Sequence, residues 1–174
     1  MPRTFARQFP RAVAASLHVS DARVPARAGL QADTIRLRGA VQMRIYLTQC
    51  CAKKAPEFKG TSRTVLPDIL YTATPTQRFM QRCVKIGKEW AIFSDRYGVW
   101  FPDVEHEWYE KDPNTVTEIE FASLRSNLET ALARYAEIMF YHNPGRFHPL
   151  YGRLLAENSL AGRVKLISHL RDIQ

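Results

Sequence analysis

The chain has 174 residues, of which 45% are hydrophobic and 24% charged, a composition typical of one globular domain. No apolar run approaches the roughly 18 residues that a membrane-spanning helix requires, so nothing in the sequence indicates a membrane protein or a membrane partner. The net charge of +8 is unevenly distributed: residues 1–42 hold seven Arg and two Asp, a charge of +5, which leaves +3 for residues 43–174. A charge of +3 is weak support for a nucleic-acid-binding domain.

Residues 1–42 form a basic leader that is rich in Arg and Ala and shows no sustained periodicity. We expect either a disordered arm or an upstream extension ahead of a natural start at Met43, followed by one α/β domain over residues 43–174. Three cysteines, Cys50, Cys51 and Cys83, lack a zinc-type spacing, and the first two are adjacent, which is a poor arrangement for a disulfide. The sequence therefore predicts reduced thiols in a cytoplasmic protein, with no metal and no cofactor.

Short apolar runs predict four buried strands, which alternate with three helices. The strands are expected at residues 44–49, 90–94, 138–141 and 164–167. Such alternation favours an α/β fold, Rossmann-like and three-layered. Its sheet is expected to be mostly parallel, with four strands or slightly more, and with helices on both faces.

Two of the predicted helices begin at recognisable capping sequences. Thr74 is expected to cap the first, with Pro75 in its first turn and Gln77 completing a capping box. Thr117 and Glu120 form a second capping box ahead of an amphipathic stretch. A third, shorter helix is expected over residues 150–158.

Polar side chains gather where the predicted strands end, and ligands of open α/β sheets bind beyond the carboxyl ends of the strands. The candidate catalytic residues are Cys50, Cys51, Ser94 and Asp95. The candidate substrate-binding residues are Lys53, Lys54, Tyr71, Tyr97, Gly98, Tyr109, Asn143, Arg146, Phe147 and His148. Two long segments, residues 52–73 and 96–116, leave the same edge and hold aromatic residues that favour ordered structure. The sequence therefore predicts a ligand pocket at this edge.

Several of these residues allow two interpretations. Cys50 and Cys51 are either small buried residues or, for one of them near Lys53 or Lys54, an activated thiolate. The Ser94-Asp95 pair either caps local backbone or supplies a general base at Asp95. Gly98 is expected in a turn at positive φ.

The loop after the third strand is likewise open to more than one interpretation. Asn143 belongs first to a turn and second to a ligand loop. Arg146 and Phe147 together could hold a phosphate and stack a base. His142 and His148 do not have a recognised metal spacing.

Sequence motifs for several common enzyme classes are missing. The chain has no GxGxxG, no GxxxxGK[ST], no GxSxG and no HExxH. Dinucleotide binding, P-loop hydrolysis, lipase-type chemistry and zincin proteolysis are therefore not expected.

The pattern of these residues resembles a family of bacterial and phage domains of unknown function. The matching positions are Cys50 or Cys51 with Lys53 or Lys54, then Leu70-Tyr71, Ser94 to Gly98, Pro102 and Tyr109. The opening is also similar to the core of archaeosine synthase. The resemblance implies a pocket for a nucleobase or nucleoside, near glycosylase or base-transfer chemistry. This chain has Cys-Cys-Ala-Lys where those relatives often have Cys-Ser-x-Lys, so the role of that hydroxyl does not carry over.

The leading functional hypothesis is a small enzyme that acts on a nucleobase or nucleoside, free or within a nucleic acid. In it, an aromatic ring stacks the base, a cationic side chain meets phosphate, and Asp95 polarises a nucleophile, with Cys50 or Cys51 as a covalent participant. The candidate rings are Tyr97, Tyr71 and Phe147, and the candidate cations are Lys53, Lys54 and Arg146. One alternative is a non-catalytic domain that senses a nucleotide or binds nucleic acid. Another is an accessory subunit that docks a partner through its Trp100-Phe101 and Trp108-Tyr109 segments. The oligomeric state is not predicted.

Overall fold

A computed structural model describes residues 43–143 and 145–174. The leader at residues 1–42, and with it the expected domain boundary, lies outside the described residues. The strands are β1 Arg44–Gln49, β2 Thr64–Val65, β3 Trp90–Ser94, β4 Gly98–Trp100, β5 His106–Glu107, β6 Glu137–Tyr141 and β7 Val164–Ile167. The helices are α1 Pro67–Leu70, α2 Thr74–Lys85, α3 Glu118–Leu132 and α4 Pro149–Ala156.

The main sheet has the strand order β4-β3-β1-β6-β7, with β1 at its centre. Strand β1 is parallel to both β3 and β6, and β6 is parallel to β7. The predicted α/β class and mostly parallel sheet are confirmed. In the described residues the sheet has five strands, where four or slightly more were predicted, and the added strand is β4, which folds back antiparallel onto β3 through a tight turn.

The central strand is buried on both faces, as its apolar run predicts. Ile45, Tyr46 and Leu47 have no exposed surface. Ile45 and Leu47 share a core with the apolar sides of α3 and α4, whereas Tyr46 packs in a second core with α2. Because successive side chains of a strand point to opposite faces, this alternation places α2 on one face of the sheet and α3 with α4 on the other.

The two predicted capping boxes had different outcomes. The box at α3 is confirmed: the Thr117 side chain accepts from the Glu120 backbone N–H, and Glu120 reaches back to the Thr117 N–H. The box at α2 is wrong, because Thr74 is already inside the helix and Ala73 is the N-cap without a side-chain hydrogen bond. Gln77 instead donates to the backbone carbonyl of Tyr71 at 2.6 Å, which ties the preceding loop to the helix.

Both long segments at the carboxyl edge are ordered. Strands β2 and β5, one from each segment, pair as a small antiparallel sheet. An isolated antiparallel bridge joins Lys54 to Tyr71. No helix in the described part of the chain is long and apolar enough to cross a membrane.

The connections that leave β1 and β6 diverge to opposite faces of the sheet. Strand β1 leads to α2 on one face, and its neighbour β6 leads to α4 on the other. Such a divergence opens a crevice beyond the carboxyl ends of the two strands, which is the usual ligand position in open α/β sheets. The fold therefore points to the ends of β1 and β6 as the place to look for a site.

Candidate functional site

A cavity of about 320 Å³ opens at the carboxyl ends of β1 and β3, and we call it the Asp95 pocket. Its volume is at the lower end of the range for small-molecule sites, about 300–1,000 Å³. Its lining includes Gln49, Cys50, Lys54, Asp95, Arg146 and Tyr151. With Lys111 and Pro113, which also line it, four separate stretches of sequence meet at this pocket.

Asp95 follows β3 directly and is 5% exposed. Burial raises the pKa of its carboxyl above the usual value, because an ionised carboxylate loses hydration in the pocket wall. A hydrogen bond from Cys50 and the charge of Lys54 oppose that rise. A buried carboxyl that faces a cavity with a raised pKa is suited to proton transfer near neutral pH.

The Cys50 thiol lies between Asp95 and Tyr151. Its Sγ is 3.5 Å from Asp95 Oδ1 and 3.0 Å from the Tyr151 hydroxyl oxygen. A carboxylate can only accept, so the thiol proton is donated to Asp95 and the Tyr151 hydroxyl donates to sulfur. Burial, and next the Asp95 charge, raise the pKa of the Cys50 thiol to about 11. Cys50 is therefore a neutral thiol at physiological pH.

A chain of hydroxyl groups runs behind Asp95. Ser94 Oγ accepts from the backbone N–H groups of Arg96 and Tyr97, both at 3.1 Å, and donates to the Tyr109 hydroxyl at 2.9 Å. The Tyr109 and Tyr71 hydroxyls are 2.8 Å apart. Ser94 thus caps the β3–β4 turn, the first of its two interpretations, and orders the wall behind the pocket.

Three cationic side chains reach the rim of the Asp95 pocket. Lys54 Nζ lies 4.1 Å from the centre of the Tyr109 ring, a cation–π arrangement. Lys111 is paired with Glu120 at 2.8 Å, so its charge is already compensated. Arg146 is exposed and makes no ion pair with the described residues. Lys54 and Arg146 are consequently the cations left for an anionic ligand.

The loop after β6 is tied to β1 and to α4. The Gln49 amide donates to the Arg146 carbonyl, and its oxygen accepts from the His148 N–H at 3.2 Å. His148 Nδ1 accepts from the Leu150 N–H as the N-cap of α4, which leaves Nε2 protonated to donate to Asn114. Because both ring nitrogens have partners, His148 is held in place as the N-cap of α4 and as part of the pocket wall.

A second, smaller cavity of about 70 Å³ adjoins the first, and we call it the Thr76 crevice. It lies between the ends of β1 and β6 and the first turn of α2. Its lining includes Thr48, Cys51, Thr76, Asn143 and Arg146. The two cavities are adjacent, because they share four lining residues: Gln49, Cys50, Cys51 and Arg146.

Three aromatic residues considered for base stacking lie outside both cavities. Tyr71 has no exposed surface and packs edge-on against Trp100. Tyr97 stacks on His106 with ring centres 4.1 Å apart. Phe147 packs against Phe140 and His142, away from Asp95. In this arrangement their rings serve packing.

The remaining candidates divide between the cavities and their surroundings. Cys50, Cys51, Lys54, Asp95, Asn143, Arg146 and His148 line a cavity. Lys53 is exposed outside them, and Ser94 and Tyr109 form the wall behind. Gly98 has φ +74°, as its turn position predicts. The segment after β7, at Ser168 and His169, does not reach either cavity.

Tyr151 and Thr76 are site residues that sequence reasoning missed. Tyr151 lies in the first turns of α4, and Thr76 lies in the first turn of α2. The signal that could have found both is the Pro near the start of each helix, because Pro in this position marks where a helix begins. A helix that follows a parallel strand begins near the carboxyl edge of the sheet, so residues in its first turns can line a site there.

Comparisons of the chain with family models, with curated proteins and with solved structures found no match. No group of three or more His, Cys, Asp or Glu side chains in residues 43–143 and 145–174 could hold a metal ion.

Proposed function

We propose that this protein is a small enzyme that acts on the N-glycosyl bond of a nucleoside or nucleotide bound in the Asp95 pocket. The observation that carries the proposal is the Asp95 carboxyl, which is 5% exposed and faces a cavity of about 320 Å³ beside Lys54 and Arg146, neither of which forms an ion pair with the described residues. A raised carboxyl pKa beside a ligand-sized cavity is a mark of acid–base sites.

Asp95 acts as the general base in this proposal. It takes a proton from a water molecule as the water oxygen forms a bond to the anomeric carbon, and the bond from that carbon to the base nitrogen breaks. The electron pair of the broken bond stays on the departing base, which takes up a proton from solvent, and the Asp95 carboxyl returns its own proton to solvent. If the hydroxyl of a second sugar or another base replaces water, the same geometry gives transfer.

Cys50 positions Asp95 and is not the nucleophile. A thiol with a pKa of about 11 holds little thiolate at neutral pH. Its hydrogen bond fixes Asp95 Oδ1, and the Tyr151 hydroxyl fixes the sulfur in turn. The covalent role considered for Cys50 is therefore dropped from the proposed mechanism.

Ligand binding is assigned to the remaining pocket residues. Lys54 and Arg146 meet an anionic group, with Arg146 able to form a two-pronged hydrogen bond. Ala52 and Pro113 offer apolar contact to a base. The three free cysteines suit a reducing compartment, and we place the reaction in the cytoplasm.

A second candidate is a domain that binds a nucleotide or nucleic acid without chemistry. The neutral Cys50 thiol favours it, because the pocket then contains no strong nucleophile of its own. Binding to a nucleic-acid backbone weakens steeply with salt, whereas binding of a free nucleoside does not.

The test is a thermal-shift screen of bases, nucleosides, nucleotides and short oligonucleotides, followed by chromatographic detection of released base. Ligands that bind the folded state raise its melting temperature. We expect a nucleoside or nucleotide to bind and to lose its base, and Asp95→Asn to retain binding while turnover falls by about 100-fold or more, the usual contribution of a general base. Binding without base release in wild type would favour the non-catalytic candidate, and full activity of Asp95→Asn would remove Asp95 from the mechanism.

A further inference from the structure

The first turn of α2 faces the Thr76 crevice with unused hydrogen-bond donors. Ala73, the N-cap, supplies no side-chain acceptor, and Pro75 follows in the first turn. The backbone N–H groups of Thr74 and Thr76 have no acceptor within residues 43–143 and 145–174. A helix of 12 residues carries partial positive charge at this end.

Two buried hydroxyl groups line the same crevice. Thr48, at the end of β1, and Thr76, in the first turn of α2, are each 6% exposed. Neither hydroxyl makes a hydrogen bond with the described residues, and neither oxygen is among the fully buried polar atoms that lack a partner, so both are open to the crevice. Two free hydroxyls on almost fully buried side chains that line a small cavity are a separate indication that a polar ligand group binds there.

Arg146 adds a full positive charge where the crevice meets the Asp95 pocket. Its side chain is exposed, lines both cavities and makes no ion pair with the described residues. Backbone N–H groups at a helix N-terminus, hydroxyls and a guanidinium are together the donors that bind phosphate in proteins. No carboxylate of the described residues lines the crevice to oppose an anion.

We propose that the Thr76 crevice binds the terminal phosphate of a nucleotide whose nucleoside part lies in the Asp95 pocket. The substrate class is then a nucleoside monophosphate, and this inference rests on the proposed function for the nucleoside half. The size of the crevice supports a terminal group: about 70 Å³ admits a small anion but no ring, whereas the adjoining pocket of about 320 Å³ has room for the rest. A phosphodiester, with a chain continuing on both sides, fits such a compartment less well.

The experiment is calorimetric titration of the full chain with inorganic phosphate, with a nucleoside 5′-monophosphate and with the parent nucleoside. The variants are Thr76→Val, which removes the hydroxyl at nearly constant shape, and Arg146→Gln. The matched controls are Thr130→Val, on the exposed face of α3, and Arg171→Gln, near the C-terminus. Because Arg146 is exposed, its variant retains the fold even if Thr76→Val does not.

We expect inorganic phosphate to bind and to compete with the monophosphate. Each crevice variant should weaken phosphate binding by about tenfold or more, the loss from removing one hydrogen bond to a charged group. The controls should bind phosphate as wild type does, and the affinity of Thr76→Val and of both controls for the parent nucleoside should be unchanged. Phosphate that fails to bind, or that binds both crevice variants as tightly as wild type, overturns the assignment.

Further measurements separate the phosphate source and the two proposals. If a dinucleoside phosphodiester without a terminal phosphate competes as well as the monophosphate, the crevice binds a nucleic-acid backbone and the terminal-phosphate assignment is wrong. If phosphate binding behaves as expected but no nucleotide loses its base, the phosphate site stands and the proposed enzyme function fails. If bases are released equally well from nucleosides and their monophosphates, the function stands and the phosphate site fails.

Discussion

The Cys50 thiol donates a hydrogen bond to Asp95 Oδ1 across 3.5 Å, so the ionisation of one group depends on the charge of the other. The Asp95 charge is the second cause, after burial, of the rise in the Cys50 pKa. The thiol hydrogen bond in turn holds the Asp95 pKa below the level that burial alone would set. Because of this coupling, a change in the charge of Asp95 can be detected as a change in the reactivity of the Cys50 thiol.

Alkylation of Cys50 should be slow at neutral pH. With a pKa of about 11, its thiolate fraction at pH 8 is on the order of 100-fold below that of an ordinary cysteine. We expect the iodoacetamide rate of a Cys51→Ser protein, followed by peptide mass spectrometry, to keep rising as pH increases to about 11. Asp95→Asn in the same background should speed the reaction at pH 8, because the negative charge that disfavours the thiolate is removed. A Cys50 that reacts at pH 7 as fast as free cysteine contradicts this assignment.

Replacing Asp95 with Asn should stabilise the protein at pH 7. The folded-state pKa of Asp95 is raised by burial, so the ionised carboxylate costs free energy above that pKa, and the neutral amide avoids the cost. We expect a higher melting temperature, by about 2–4 °C for each kcal/mol of relieved cost. The advantage should shrink as pH falls through the raised pKa toward the ordinary value of 3.8, where both side chains are neutral.

The control for this stability change is Asp172→Asn, on an exposed turn near the C-terminus. It should lower or leave the melting temperature at pH 7, because the Asp172 carboxylate accepts from the His169 N–H and is not held in a cavity wall. Stabilisation combined with loss of activity is the pattern of a residue kept for function. A melting temperature that falls in Asp95→Asn would mean that the Asp95 charge is compensated in the folded state.

The strands could be predicted from sequence because a contiguous apolar run indicates a strand that is buried on both faces of the sheet. Ile45 to Leu47 and Trp90 to Phe93 are such runs, and both form the central part of the sheet. Strand β4 was missed because its three residues come directly after a turn and look like a loop, although Gly98 was correctly predicted at positive φ. Local chemistry determines the turn, but residues 98–100 become a strand only through their pairing with β3.

The direction of side chains could not be predicted from sequence. Tyr71, Tyr97 and Phe147 follow the carboxyl edge in the chain, yet their rings turn into aromatic packing and away from the cavities. The Gln77 side-chain amide likewise donates a hydrogen bond to the Tyr71 carbonyl and does not complete a capping box. These orientations are decided by tertiary contacts between residues distant in sequence, and residue spacing along the chain contains no information about them.

Replacing Gly98 with Ala should destabilise the protein through two separate effects. A positive φ is unfavourable for Ala, at a cost of about 1 kcal/mol, and a Cβ at this position would overlap the Asn127 side chain. Asn127 is held because its Oδ1 accepts from the Val99 N–H at 2.7 Å. We expect a total loss of about 2–4 kcal/mol in urea unfolding, which is larger than the strain term alone.

Gly60→Ala is the matched control for Gly98. Gly60 has the same φ of +74°, but a Cβ there meets nothing within 4 Å. It should cost only the strain term, about 1 kcal/mol. Equal losses in the two variants would show that the Asn127 side chain moves aside freely.

Removing the Tyr109 hydroxyl should show how strongly the hydroxyl groups of Ser94, Tyr109 and Tyr71 depend on each other for stability. Tyr109→Phe leaves Ser94 without its acceptor and Tyr71 without its partner, all in buried positions, so we expect a loss of about 1–3 kcal/mol in urea unfolding. Tyr71→Phe breaks one of the same bonds. The double variant should therefore lose less stability than the sum of the two single variants, by about 0.5 kcal/mol or more.

Tyr97→Phe serves as the control, because that hydroxyl donates only to the exposed Glu107 carbonyl and its loss should cost under about 0.5 kcal/mol. Strictly additive losses for Tyr109 and Tyr71 would mean that their hydroxyls do not depend on each other.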